Sequence, residues 1–390
     1  YSKNFQDGTI LETIYDPAKE ETGFVVAQNR RISKTDRFEY NGKAFIPPEP
    51  TNTLIERRFV KLPSCVDQNF GDEKHLIKEI QSFIHTYVQI SAEFEKIATF
   101  YVLLSWTYDA FQELSYLRVL GDFGSGKSRF LKVVGSLCYK SVFLSGAASI
   151  SASFRIINEV KGTFVLDEAD WRFSDTTSEI IKILNQGFSK GVPVLRSEPK
   201  NKNSKSFEPV AFDVFCPKII ATRRSFTDEA LESRCLTAPM ETLTRDDIKE
   251  NLDEKFEREA LWIRNKLLGF RLKKMSEGIP FTCLPAIKIE PRMRQIITPL
   301  YSIVQSFEAR QEILQFIKNQ QQGLTDDRYN SFEGELLRVY IDLLAENEQP
   351  LIKEITDSYN ENYAGNYLVK PKKVGAVFDQ IFHFQKKYQK

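Results

Sequence analysis

The spacing of apolar residues changes several times along the chain. Up to about residue 63, "GFVVAQNRRI" and "FEYNGKAFIP" alternate apolar and polar positions, with Asn41-Gly42 as a hairpin-turn signal. This predicts short strands and turns. From Glu73 the period lengthens, and "HLIKEIQSFIHTYVQI" puts Leu76, Ile77, Ile80, Ile84 and Tyr87 on one helical face. A second helix is expected over 91–111. Then "YLRVL", "SVFL", "TFVLD" and "KIIAT" read as strands, separated by helical stretches after Lys127, over 151–160 and over 177–188. Strands alternating with helices predict an α/β sheet with helical crossovers. Residues 244–277 are charged and helical, and "IEPRMRQIITPLYSIVQSF" adds a further helix. The end of the chain carries three helical patterns, "GELLRVYIDLLAE", "PLIKEITDSYN" and "KPKKVGAVFDQIFHF", with 363–369 as a wing or connector.

Composition narrows the class. The chain has 390 residues, 42% hydrophobic and 27% charged, the balance of a soluble globular protein. No apolar run is long enough for a membrane helix, so no membrane partner is expected. The first residue is Tyr1 and no signal-peptide pattern follows, so an excerpt of a longer chain is expected. The net charge is +1, and any nucleic-acid surface must therefore be local. Cys65, Cys138, Cys216, Cys235 and Cys283 form no C-x-x-C pair, and the three histidines are isolated. This argues against a zinc site or disulfide framework and makes a reducing, cytoplasmic setting the default.

The "YLRVL" strand runs into Gly121-Asp122-Phe123-Gly124-Ser125-Gly126-Lys127-Ser128 as a helix begins. This is G-x-x-x-x-G-K-S in a strand–loop–helix setting. Its glycines turn backbone N–H groups toward phosphates, and the helix N-terminus adds its positive dipole end. Lys127 is expected to reach the β/γ-phosphates and Ser128 to bind Mg²⁺. No guanine-recognition motif is present, which favours ATP. Some forty residues later, "FVLDEADW" has Phe164, Val165 and Leu166 as a buried strand, with Asp167 at its C-terminal end. Asp167 is placed to hold Mg²⁺ through water, and Glu168 to polarise the attacking water. The bland alternative is an acidic turn at a strand end.

Thr222, ending "KIIAT", can hydrogen-bond the attacking water or γ-phosphate, or simply cap the next turn. Arg234, in "DEALESRC", can stabilise transition-state charge on a phosphate. Its alternative is a salt bridge to Glu232 or Asp228, and Arg223 and Arg224 compete for the same task.

The letters D-E-A-D do not make this a DEAD-box helicase, which needs a second RecA-like domain and a serine-alanine-threonine motif that are not visible here. The order of phosphate loop, D-E strand, hairpin-like insert, polar strand end, arginine and helical segment resembles an AAA+ ATPase. Within that group it is similar to minichromosome-maintenance and superfamily III-type replicative helicases of plasmids and phages. "GDFGSGKSRFLK" and "ALESRC" carry the likeness, together with Phe212 to Lys218 and Arg264 to Leu268. The gap between the nucleotide motifs is too short for the extra helical insert of minichromosome-maintenance proteins.

The resemblance implies a parallel-sheet P-loop core at 116–243, preceded by a β-rich segment at 1–63 and a helical region at 64–115. It implies a helical lid at 244–325 and a winged-helix-like domain at 326–390. It makes Arg234 the arginine finger and Thr222 sensor 1, with Arg292 or Arg294 as sensor 2. It also implies a homo-oligomeric ring, most simply a hexamer, acting on single-stranded DNA during replication of a mobile element. A primase or other replication protein is a further implied partner.

Between the D-E strand and "KIIAT", two β-prone runs flank a polar tip. In the resembled family such a hairpin grips one DNA strand. Arg196, Lys200, Lys202 and Lys205 suit phosphate contact, and Phe207 suits base stacking. Lys370, Lys372 and Lys373 open the last helix, which fits DNA docking or, equally, a protein contact. The same sites would serve an ATP-gated initiator or loader that does not unwind, or a remodeller of proteins.

Overall fold

The N-terminal alternation becomes an antiparallel sheet in the order β1 (Ser2–Asn4), β2 (Ile10–Asp16), β3 (Glu21–Gln28), β4 (Arg31–Thr35). A separate hairpin, β5 (Phe38–Tyr40) and β6 (Lys43–Phe45), turns at Asn41-Gly42 as expected. Both turn residues have positive φ, 49° and 73°, which asparagine and glycine tolerate best. These coordinates are a computed structural model, and they describe residues 1–144, 149–167, 175–199, 206–241, 244–346, 349–363 and 367–384.

After a short α1 (Thr53–Glu56), α2 (Glu73–Tyr87) is capped by Asp72, which accepts from His75 N–H. α2 buries Leu76, Ile80, Phe83, Ile84 and Tyr87; Phe83, not Ile77, completes the buried face. α3 (Ala92–Ser105) starts at its Ser91 cap and ends earlier than the sequence pattern suggests, in a 3₁₀ turn at Tyr108–Ala110.

The core is a five-stranded parallel sheet. In chain order its elements are β7 (Tyr116–Leu120), α4 (Lys127–Leu137), β8 (Val142–Leu144), α5 (Ile150–Val160), β9 (Phe164–Leu166) and α6 (Asp175–Gln186). An antiparallel hairpin follows, β10 (Val194–Pro199) and β11 (Phe207–Phe212), then β12 (Lys218–Thr222), α7 (Glu229–Glu232) and β13 (Cys235–Pro239). The sheet order is β13-β7-β12-β9-β8. Counted along the core that is 5-1-4-3-2, the order of an AAA+-like P-loop fold. β7, β9 and β12 are buried almost throughout, as central parallel strands must be. α8 (Glu254–Glu277) packs on α2 and α4, and α9 (Pro291–Ile303) on α3. Residues 244–253, expected to be helical, form an extended strap before the Asp253 cap of α8.

The chain divides into two units, Tyr1–Ile317 and Lys318–Lys390, with the boundary inside α10 (Phe307–Tyr329). The second unit contains α11 (Phe332–Glu346), α12 (Ile352–Asn362) and α13 (Pro371–Gln380) around Leu336, Val339, Ile355, Tyr359, Val374, Val377 and Phe378. The three expected helices are present. Among the described residues this unit has no strand; residues 364–366, within the expected wing or connector, lie outside them. Asn360 holds both backbone groups of Val369, accepting from its N–H at 2.8 Å and donating to its carbonyl at 3.0 Å.

A buried charge cluster ties the N-terminal sheet to the core. Glu12 accepts from Arg271 Nε at 2.7 Å, faces Lys140 Nζ at 3.0 Å and accepts from the Tyr139 hydroxyl. Arg271 also grips Asp109 with both Nη atoms, at 2.7 and 2.8 Å. Two cations and two carboxylates balance. Burial alone would push the Glu12 carboxyl up, but Lys140 and Arg271 together hold it below its usual range; Arg271 does the same for Asp109. Glu12→Ala leaves the cations uncompensated and is expected to cost about 3–5 kcal/mol, read from the urea unfolding midpoint. Because both carboxyls are held low, their stabilisation is complete above their unfolded values of 4.5 and 3.8. It is lost as pH falls through the lower folded values, so acid unfolding should move toward neutrality in the variant.

A candidate nucleotide site at the ends of the parallel strands

β7 ends at Leu120, and the chain turns sharply into the glycine-rich loop. Gly124 and Gly126 have φ of 74° and 90°, a region that side chains enter at a cost. Gly126 occupies the N-cap of α4 without any side-chain cap, leaving the first-turn N–H groups to face the loop. Lys127 Nζ lies over the loop and donates to the carbonyls of Gly121 at 2.5 Å and Asp122 at 2.6 Å.

The other strand ends converge there. Gly121 N–H donates to Thr222 O at 3.2 Å, and Met240 N–H to Leu120 O at 2.6 Å. Asp167 follows β9 at the same end of the sheet, its N–H on Leu144 O. A cleft of about 380 Å³ is lined by Phe123, Gly124, Ser125, Gly126, Lys127, Ser128, Arg129, Asp167 and Arg223. Ser128, Asp167 and Lys127 thus line one cavity. Hard oxygen donors of this kind suit Mg²⁺, so the residues fit that ion. Glu168 lies outside the described residues.

Thr222 is 1% exposed, and its Oγ1 has no hydrogen-bond partner among the described residues. An orphan hydroxyl beside the phosphate loop is an anomaly that strand packing does not explain. Arg223, next along, stacks its guanidinium 3.3 Å from the centroid of Phe123, whose ring is 73% exposed.

A wider cleft of about 970 Å³ adjoins the loop, lined also by Val88, Gln89, Met240, Arg245 and Ile248. Sequence reading missed this wall because its parts come from distant segments. Gln89 binds Thr244 and Arg245 N–H at 2.9 and 3.0 Å, and Arg129 bonds the carbonyls of Tyr87, Lys249 and Glu250. Those contacts hold the 244–250 strap against the end of α2.

Arg234 sits at the opposite end of the sheet. Its carbonyl accepts from Tyr116 N–H at 2.9 Å, level with the start of β7. The side chain is 7% exposed, stacks 4.0 Å from the Phe188 centroid and donates to Asn185 Oδ1, while Asn185 Nδ2 donates to Asp228. The alternative of a salt bridge to Glu232 is not seen; Glu232 pairs with Arg118. Burial first, and then the like charge of Arg292, pulls Arg234 below its ordinary value. The charge of Arg292 also acts on Glu113, ahead of β7. Arg294 is spent on the carbonyls of Pro285 and Ile287. Neither arginine is among the described residues that line the two clefts around the loop.

Hairpin alternation decides which residues face outward. Val194, Arg196 and Phe212 lie toward α5, where Arg196 packs 5.2 Å from the Phe154 ring. Arg196 is half-buried on the face toward α5. Phe207, paired with Pro199, is 65% exposed on the open face that also carries Leu195 and Pro209. Lys200, Lys202 and Lys205 lie outside the described residues. Lys370, Lys372 and Lys373 are exposed on the first turn of α13, with Lys373 4.5 Å over Phe332.

No protein-family model and no curated protein matches the chain. Among solved structures it is similar to the apo C-terminal region of NrS-1, at 13% identity and a TM-score of 0.35, over 96% of this chain and 88% of that one. A second structure of that region gives 10% and 0.39, over 96% and 91%. The inhibitor-bound JCV helicase gives 13% and 0.28, over 74% and 65%. At these scores the likeness carries no functional argument; the AAA+-like reading rests on strand order and loop.

All five cysteines are free thiols, and no helix among the described residues is long and apolar enough to cross a membrane. For the orphan hydroxyl, Thr222→Val should change unfolding free energy by no more than about 1 kcal/mol, because no hydrogen bond is lost. If the hydroxyl acts on nucleotide, ATP turnover should nevertheless fall; unchanged turnover would leave Thr222 a packing residue.

Proposed function

We propose that this chain is an ATP-driven DNA translocase or helicase acting in the replication of a mobile element, assembled as a ring, most simply a hexamer. The observation that carries the reading is the convergence of Lys127, Ser128 and Asp167 on one cleft at the C-terminal ends of a 5-1-4-3-2 sheet. Lys127 and the loop N–H groups hold the β/γ-phosphates, and the wider cleft between Gln89 and Met240 offers room for the nucleoside. Ser128 and Asp167 would hold Mg²⁺, which supplies charge neutralisation on the phosphates. Glu168 takes a proton from the attacking water, and Thr222 orients it.

Arg234 lies a strand's length from its own loop. In the proposed ring it serves the site of a neighbouring copy, where its positive charge meets the γ-phosphate, with Arg292 or Arg294 as sensor 2. A heterologous contact of this kind closes into a ring. Lys200, Lys202 and Lys205 follow the phosphate backbone of single-stranded DNA, and Phe207 stacks on a base. A second reading, an ATP-gated initiator or loader, is favoured by the exposed Lys370, Lys372 and Lys373 turn. Strand displacement with and without ATP separates the two.

Two outcomes test the proposal. Glu168→Gln should bind ATP normally and lose turnover by about a hundredfold, and full turnover would remove its role. The Lys200→Ala/Lys202→Ala/Lys205→Ala variant should lose stimulation of ATPase activity by single-stranded DNA. The slope of log affinity against log salt should also flatten by about 2, three contacts at roughly 0.7 each. Equal stimulation in variant and parent would take the hairpin out of the mechanism.

A further inference from the structure

Arg118 lies in the middle of β7 and is 0% exposed, where a parallel strand ordinarily carries a branched apolar residue. A guanidinium there demands full pairing. It receives it from Glu232: Nη1 donates to Oε2 at 2.5 Å and Nη2 to Oε1. Its Nε donates to Thr237 Oγ1 on β13 at 3.1 Å, and its plane lies 4.9 Å from the Phe226 centroid. Glu232 Oε2 also accepts from Phe226 N–H at 2.8 Å.

Four segments meet at this one ion pair. β7 leads three residues later to the phosphate loop at Gly121. β13 leads to Met240 at the wide cleft. Phe226 belongs to the turn that leaves β12 through Thr222 and Arg223. Glu232 ends α7, two residues before Arg234. A displacement of the loop carried down β7 therefore reaches α7 through a planar, two-point contact that resists rotation.

We propose that the Arg118–Glu232 pair is a positioning link that sets where a chain presents Arg234, so that the state of its own phosphate loop governs the arginine it offers to a neighbour. This rests on the reading of Arg234 as acting in a neighbouring site. Arg118 touches no nucleotide and is not a catalytic residue.

The test mixes full-length chains. Arg118→Met keeps the Lys127 loop and should bind a fluorescent ATP analogue nearly as well as the parent. Alone it should lose ATP turnover by about ten- to a hundredfold, the effect of a misplaced group. Mixed with Lys127→Ala chains, which bring an intact Arg234, it should regain activity; mixed with Arg234→Ala chains it should not. Because Arg118→Met strands a buried carboxylate, Arg118→Met/Glu232→Leu is run alongside, with the same expected pattern. Recovery with Arg234→Ala but not with Lys127→Ala would place the defect in the variant's own loop and overturn the link. So would full turnover in the double variant, or failure of both variants to fold, which would make the pair structural alone. A mixture of Lys127→Ala with Arg234→Ala serves as control. Absence of recovery there overturns the neighbouring-site reading of Arg234, separately from the link.

Discussion

The hydrogen bond from Tyr116 N–H to Arg234 O fixes the geometry on which the account depends. It sets Arg234 level with the first residue of β7, while the phosphate loop springs from the last. Four strand steps of about 3.3 Å separate the two, and the strand is rigid and buried. A short rotamer change cannot close that gap. In a parallel sheet every strand's two ends lie on opposite edges, so the edge that gathers Lys127, Ser128, Asp167 and Thr222 cannot also hold Arg234. Arg234 therefore lies out of reach of its own chain's loop.

Buried cations recur wherever segments distant in sequence are locked together. Arg118 joins β7 to α7, and Arg271 joins α8 to the N-terminal sheet. Lys218, fully buried, gives Nζ to the carbonyls of Gly187, Val214 and Cys216, clamping the hairpin exit to the end of α6. Arg264 bonds the carbonyls of Leu62 and Ser136. Each is costly to bury and tolerable only in one register, so these contacts specify arrangement more than they add stability. They also tie the hairpin, the strand after it and the arginine-bearing turn to the sheet that carries the loop.

The core was legible from the sequence because its signals are local. G-x-x-x-x-G-K-S, the apolar "FVL" before Asp167 and the alternation of strands and helices each act within one element, and the strand ends then had to meet. The strap at 244–253 was misread as helix because its charged composition resembles a helix surface, while Gln89 and Arg129 draw it out into extended form. Arg196 was named for its charge and its place in the hairpin; which face of the hairpin it takes depends on the β10 register, which puts it over Phe154. The arginine inside "YLRVL" was a visible anomaly, and its partner Glu232, more than a hundred residues away, was not.

The claim that one chain's site is completed by another is tested most directly by specific ATPase activity against protein concentration, with molecular mass measured in parallel. The account predicts that activity per chain falls toward zero as dilution separates the copies and returns when they are reconcentrated. Constant activity per chain in a solution shown to be monomeric would contradict it.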